Sequence, residues 1–420
     1  MKRIFLLGVI SVIVNAQSLQ SVVNKALSGS TAIKKAKLNL MLSSIKRQEA
    51  KANRLGELNL VGSATHYNTP RTLSVVLPGS KAPIYTTRNI YSVGVNYSVA
   101  LFTGFAQTRS IQMSELVEQM SQSKIRLAKE EIAYNIKALY LNALSLKHLI
   151  SAQKAYADGL KRLSNRVKLE VDSGANAKID YYKALSEYQM AKADLINIKS
   201  NLDVIRASIY ALSGVEVKRF EDIKIRVKKP RVNIDNLASL SKIKIEEMKV
   251  KKAGVAVEKA KSALYPQVKL EAYASKNMGV DRLSDGWRNS SVSQVSLKVS
   301  YNLFDGGKRK SQIEEAKVAK MVSSLDKLQT IRDLKKLLRE TKAKLNASYY
   351  AYRANLSSYT LAKKALKVEE VLYKEGRDTI DNLIIAKSKS LLSKAKLISS
   401  KYEYKKYWYK IDYLLEKGVR

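Results

Sequence analysis

The chain has no cysteine among its 420 residues. That excludes a disulfide framework, a thiolate metal site, a cysteine nucleophile and a lipid-modified cysteine near the start. Histidine is nearly absent. His66 and His148 lie far apart, neither with a partner at metal-ligand spacing, and each reads as an ordinary surface or strand residue. No phosphate loop, Ser-His-Asp set or convincing pair of catalytic carboxylates stands out, so an enzyme is disfavoured and no cofactor or metal is expected. After residue 16 no run of eighteen apolar residues occurs, which excludes a transmembrane helix. In a membrane such a chain must be a β-barrel, because lipid offers no partners to backbone N–H and C=O groups. Proline is scarce too: Pro70, Pro78, Pro83, Pro230 and Pro266 are all there is. Proline breaks helix interiors, so the tracts 84–229 and 267–420, rich in Ala, Leu, Lys, Glu and Ser, can hold continuous helices.

Acidic residues are outnumbered, 37 against 76 Lys and Arg, for a formal charge of +39. Alone this suggests nucleic acid. The basic residues are spread along predicted helices, often beside Glu or Asp, and form no single patch. Solvated helix faces explain them; attraction to anionic headgroups or cargo is a second reading. The first sixteen residues combine Lys2 and Arg3, the short apolar stretch Ile4–Val14 and the small-residue site Val14-Asn15-Ala16. This predicts a signal peptide (1–16) cleaved before Gln17, against the alternative of a buried N-terminal helix. An exported protein does not meet the chromosome, so no nucleic-acid partner is expected.

What is present is a repeat. Leu101-Phe102-Thr103-Gly104 is echoed by Leu303-Phe304-Asp305-Gly306, and Gly174 and Ala184 by Gly376 and Ala386, always at an offset of 202. The expected halves are 17–215 and 235–420, joined by a basic linker, 216–234. Each half reads as helix, strand, strand, very long helix and return helix. The strands are expected at about 57–68, 89–103, 267–277 and 292–305. Coiled-coil helices are expected at about 106–213 and 308–416.

Alternation is clearest in the second strand of each half. Tyr91, Val93, Val95, Tyr97, Val99 and Leu101 interleave with Ser92, Gly94, Asn96, Ser98 and Ala100. Val295, Leu297, Val299, Tyr301 and Leu303 interleave with Ser296, Lys298, Ser300 and Asn302. Period-two patterning gives one apolar and one polar face. In a barrel the apolar face, with Val93, Val95, Tyr97, Val99, Val295, Leu297, Val299 and Tyr301, meets lipid. A soluble half-buried sheet would alternate as well. Tyr67, Phe102, Tyr273, Trp287 and Phe304 suit aromatic girdles. Four strands are too few to close a barrel, so the membrane reading requires strands pooled between subunits. Along the second long helix Ile331, Leu338, Leu345, Tyr352, Tyr359, Leu366 and Tyr373 hold one heptad register. A helix of about 65 residues runs roughly 95 Å, which suggests a tube across the periplasm. An antiparallel helical bundle explains the helices but not the strand pairs ahead of them.

These motifs resemble the TolC-like outer membrane efflux protein family over nearly the whole chain. Leu101, Phe102 and Gly104, and Leu303, Phe304, Asp305, Gly306 and Gly307, resemble its strand-to-helix turn. Leu264-Tyr265-Pro266-Gln267-Val268 is similar to its helix-to-strand junction, and Leu212-Ser213-Gly214 to the end of its first repeat. Gly174–Ala184 and Gly376–Ala386 resemble its coiled-coil tip turns. The resemblance implies a mostly α fold with a membrane β part: a homotrimer whose twelve-stranded β-barrel continues into a twelve-helix periplasmic α-barrel. It implies a passive exit duct in the outer membrane of a Gram-negative bacterium, extending into the periplasm. Implied partners are outer-membrane lipid, a periplasmic adaptor and an inner-membrane RND or ABC transporter. Gating and docking are expected at the tip, around Gly174, Asp180, Lys183, Ala184, Gly376, Asp378, Asp381, Ile385 and Ala386. Two features depart from the family. Leu55-Gly56-Glu57 stands where the proline turn is expected. Ile385 and Lys183 stand where some members place an acidic constriction, for which Asp378 and Asp381 offer a substitute. The competing function classes are a non-channel periplasmic coiled-coil scaffold or adaptor, which would lack the alternating strands, and a nucleic-acid-binding helical protein, which would lack the signal peptide.

Overall fold

The computed structural model describes residues 17–419, apart from 75, 77–78, 80–82 and 234–236. The expected signal peptide, 1–16, lies outside the described residues. In chain order the elements are α1 (Leu19–Gly29), α2 (Thr31–Ala52), β1 (Glu57–Thr72), β2 (Thr86–Phe102), α3 (Ala106–Asp172), α4 (Lys178–Ser213), α5 (Ser241–Lys261), β3 (Gln267–Val280), β4 (Trp287–Ser300), α6 (Lys308–Lys374) and α7 (Ile380–Leu414). The protein is mostly helical, with two compact units.

One unit holds Leu38–Ser123 and Lys244–Gln329. Its strands form one antiparallel sheet in the order β1-β2-β3-β4. Register carries the alternation across the sheet. Leu58 faces Tyr97, Tyr97 faces Ala272, and Ala272 faces Val295; beside them run Asn59, Asn96, Tyr273 and Gln294. Directly opposed residues share a face, so the first row is apolar and the second polar. β1 is exposed over almost its whole length. β1 and β4 are edges, each with one side unpaired. The helices repeat the strand order. Arg47 of α2 pairs with Glu118 of α3 at 3.0 Å, α3 and α5 share a groove between Leu116 and Val255, and Lys327 of α6 pairs with Glu247 of α5 at 3.1 Å.

β4 ends at Ser300, where the alternation predicts a strand running to 305. Tyr301 therefore lies one residue past the strand. The reason is that β4 has one neighbour only, and its pairing with β3 stops at Gln267–Ser300 where β3 begins. At its other end β4 starts at Trp287, and β1 runs on to Thr72 after a register shift between His66 and Arg71.

The other unit holds the residues up to Lys37, Lys124–Ile243 and the residues from Thr330. Of the heptad stripe Leu338 and Leu345 are fully buried, Ile331, Leu366 and Tyr373 pack partly buried against core clusters, and Tyr352 and Tyr359 are half-buried; on α3, Ile136 and Ala143 are fully buried. The expected linker is 216–234, and the segment 215–227 is an extended strap. Val215, Val217, Ile223 and Ile225 pack inward, while Lys224 and Arg226 face solvent. Two tyrosines fasten it. Tyr140 Oη lies 2.6 Å from Gln17 O and 2.9 Å from Glu221 O, and accepts from Glu221 N at 2.8 Å. Tyr404 Oη donates to Lys228 O at 2.6 Å and accepts from Lys228 N at 3.3 Å. Burial pushes the Tyr140 hydroxyl up to about 12. Tyr140→Phe strips Glu221 O of its hydroxyl donor, while Glu221 N keeps its bond to Gln17 O at 3.3 Å, and is expected to lower stability by ~1 kcal/mol. Unfolding of the full-length protein followed by circular dichroism checks it; an unchanged transition would remove the strap's anchor from the account.

Candidate functional site

Three groups of predicted residues can be placed. The first is the apolar sheet face. Val93 and Val95 are 44% exposed, and Val295, Leu297 and Val299 more than 60%. Val99 differs: it is buried, at 8%. The α2–β1 connection covers it. Gly56, at φ 76°, brings its backbone so close that an added Cβ would lie 2.7 Å from Val99 Cβ. Tyr97 Oη donates to Leu55 O of the same connection at 2.7 Å. The Leu55-Gly56-Glu57 departure thus builds a different junction, and Val99 is not available as a surface residue. Aromatic rings mark both ends of the sheet. Tyr91 and Trp287 lie 5.7 Å apart at the far end; Phe102, Phe105 and Tyr265 form edge-to-face contacts at the helix end.

The second group is the strand-to-helix turns. Each has two successive residues at positive φ: Gly104 (61°) with Phe105 (71°), and Gly306 (63°) with Gly307 (89°). Glycine suits the left-handed region, and a side chain there is strained. Phe105 occupies it where the second copy has glycine, held by rings 5.3 Å away at Phe102 and 6.1 Å away at Tyr265. Asp305 caps α6, accepting from Gly307 N and Arg309 N at 3.1 Å and Arg309 Nε at 2.7 Å. Leu101 is exposed, and Leu303 and Phe304 are about 85% exposed beside the open edge.

The third group is the tip. Ala157, Leu160, Ala184, Ile380, Leu383 and Ile384 form one core joining α3, α4 and α7. Gly174 (78°) and Gly376 (68°) make the two turns. Lys183 Nζ meets Asp381 Oδ2 at 2.7 Å, binding the start of α4 to the start of α7, and this bond raises the Lys183 pKa. Asp180 stands in the first turn of α4. Asp378 accepts from Thr379 N at 2.6 Å and Asn382 Nδ2 at 2.7 Å, so it serves its own turn rather than Asp381. Ile385 is 61% exposed, while Ala184 is fully buried and Ala386 half-buried.

Sequence reasoning missed a second tip link. Glu170 accepts from Asn176 Nδ2 at 2.7 Å, Tyr373 Oη donates to it at 3.4 Å, and the Arg166 guanidinium lies over the Tyr373 ring at 5.2 Å. Tyr373 was visible as a heptad position; nothing in spacing pairs it with Glu170. Also missed was Glu369, whose carboxyl interacts with that of Asp378. That contact raises Glu369 and lowers Asp378. No helix among the described residues is long and apolar enough to cross a membrane, a statement that leaves strands untouched.

An exposed sheet with one apolar and one polar face, joined to long helices that end in a turned tip, defines a channel-forming subunit rather than an enzyme. The sequence pattern of the outer membrane efflux proteins matches residues 22–215 and 237–415, and the chain belongs to that family. It is an outer-membrane exit duct that extends into the periplasm. The chain is similar to outer membrane protein TolC of Vibrio cholerae, at 21% identity over 75% of this chain and 74% of that protein. It is similar to TolC of Escherichia coli at 19% over 93% and 80%. Its fold is similar to the Campylobacter jejuni CmeC outer membrane channel, with a TM-score of 0.81 at 14% identity over 95% of this chain and 86% of that one.

The turns generate a ranked prediction. Gly104→Ala is expected to destabilise by more than ~2 kcal/mol, because left-handed strain adds to overpacking against Ser262 and Tyr265. Gly306→Ala meets open space and is expected to cost only the strain, ~1–2 kcal/mol. Phe105→Gly is expected to change stability by less than ~1 kcal/mol, since relieved strain offsets lost ring contacts. Thermal unfolding of the three variants tests the order.

Proposed function

We propose that three copies of the chain close a twelve-stranded barrel and pool their helices into a twelve-helix tunnel, through which cargo passes passively. The observation that carries this is the amphipathic sheet with two free edges. In lipid an unpaired row of N–H and C=O groups is prohibitively costly, so β4 of one copy must find β1 of the next. The flanking helices support it. Leu38, Met41 and Leu42 on α2, and Met321, Val322 and Leu325 on α6, are more than half exposed on the two outer helices of the layer. On this reading residues 1–16 are an export signal, and 17–215 and 235–420 are tandem repeats around a 216–234 connection. The implied partners are lipid, a periplasmic adaptor and an inner-membrane RND or ABC transporter, which supplies the energy.

Gating is assigned to the tip. Gly174, Lys183, Ala184, Gly376, Asp381, Ile385 and Ala386 lie on or beside the two turns. Exposed ion pairs contribute little, about 0–1 kcal/mol, so Lys183–Asp381 is a latch that docking can release. A partner opens the tip only by binding the open state better.

Two outcomes test this. The chain lacks cysteine, so one cysteine placed along β1 and one along β4 form the sole disulfide. Scanning such pairs in membranes should give covalent ladders that stop at three. Products stopping at two, or none at any register, would sink the trimer. The second outcome concerns pH. Glu369, raised above its ordinary 4.5, contributes stability below that value and loses it as pH rises through the raised value. Asp378, lowered from 3.8, contributes above 3.8 and loses it only in stronger acid. The interaction of the two carboxyls is therefore tightest in mild acid and loosens toward neutrality. Amide exchange at 376–382, corrected for intrinsic rates, should quicken between these limits in the wild type and stay flat in Glu369→Gln.

A further inference from the structure

We infer that the outer end of the β3–β4 hairpin carries a docking site for a phosphate-bearing lipid headgroup, centred on Lys276. The inference rests on the barrel reading, in which the apolar sheet face meets lipid.

The observation is a break in that face. On β1 and β2 it stays apolar through Leu60, Val95, Val93 and Tyr91, and turns polar only one row further out, at His66 and Asn89. On β3 and β4 it changes. Register puts Lys276 in the row of Val93, directly opposite Ser291; Ala274 faces Ser293, and Met278 faces Asn289. Lys276, Ser291, Ser293 and Asn289 are all exposed. Among the described residues no carboxylate pairs with Lys276. A cation on a lipid-facing strand is strongly disfavoured at the midplane and tolerated near the interface, where the ammonium reaches the headgroups.

Position fixes which interface. The helices join the sheet at Glu57, Phe102, Gln267 and Ser300; Lys276 lies toward the opposite end, which faces outward in a duct whose helices are periplasmic. The Tyr91–Trp287 ring pair marks that boundary, and Lys276 sits just inside it. An ammonium, a hydroxyl and an amide offered on one face suit a phosphate, which accepts several hydrogen bonds at once and favours charged donors. The apolar rows below it hold the acyl chains of the same molecule. A free anion has no use for them, so the occupant is a phosphorylated lipid.

The full-length protein in nanodiscs tests it, with bisphosphorylated lipid A as probe and native mass spectrometry as readout. Lys276→Gln should lower retained lipid A about five-fold, as for one charge-assisted hydrogen bond, and Lys276→Arg should restore it. Lys298→Gln, on the polar face, should change nothing. Dephosphorylated lipid A should bind weakly to every form. Equal retention by wild type and Lys276→Gln overturns the site. So does displacement of lipid A by excess inorganic phosphate, which identifies a free-anion site. If the wild type neither inserts into vesicles nor conducts, the barrel reading fails and the site with it. If it inserts and conducts but ignores the phosphate, the site alone is wrong.

Discussion

The sheet's two unpaired edges set the terms for everything else. β2 and β3 satisfy their backbone groups on both sides, while β1 and β4 do so on one. Water can complete such an edge; hydrocarbon cannot. Once the rows of one face nearest the helices are apolar on every strand, the protein must either bury them under its own helices or place them in lipid. It does not bury them, since Val295, Leu297 and Val299 stay largely exposed. The helical layer inherits the problem in milder form. Its outer members α2 and α6 keep apolar residues uncovered, and these need a neighbour for ordinary hydrophobic reasons. In the proposed trimer one open edge thus accounts for an association whose chemistry changes from backbone pairing among strands to side-chain packing among helices.

The tip obeys a different logic. Its core is small and well packed, with Ala184 and Leu160 fully buried, yet the links above it are exposed and few. Lys183–Asp381 ties α4 to α7 through solvent-accessible groups, and Glu369 of α6 interacts with Asp378 of the turn. Such links hold a conformation without fixing it, as the proposed gate requires. The Tyr140 and Tyr404 clamps show the contrast. There the two tyrosines are themselves buried and bind backbone groups of the strap, so the strap they hold belongs to the permanent frame.

Much of this was legible along the chain, for a physical reason. Strand and helix periods are local, and a residue's neighbours at two, three or four positions suffice to show which face is apolar. The alternation of Tyr91 to Leu101 and the heptads from Ile331 to Tyr373 are of that kind. The failures are non-local. Val99 continues the alternation but is covered by Gly56, which arrives from the preceding helix. Tyr301 and Leu303 continue it too, yet the strand has stopped because its partner begins at Gln267. Phe105 carries no mark of its left-handed backbone. Only alignment with Gly307 hints at it, and only the rings of Phe102 and Tyr265 explain why phenylalanine stands there.

By itself the sequence determined that no helix crosses a membrane, that the chain is mostly helical, and that its strands have one apolar face. Each follows from residue types at short spacings, where sterics and hydrophobicity act between near neighbours. The tertiary structure decided the order β1-β2-β3-β4, which strands became edges, and which charges met. Lys183 found Asp381 rather than Asp180 because packing of α4 against α7 brings them together across 198 residues. Pairing across such distances depends on how whole elements dock, and no local pattern encodes that.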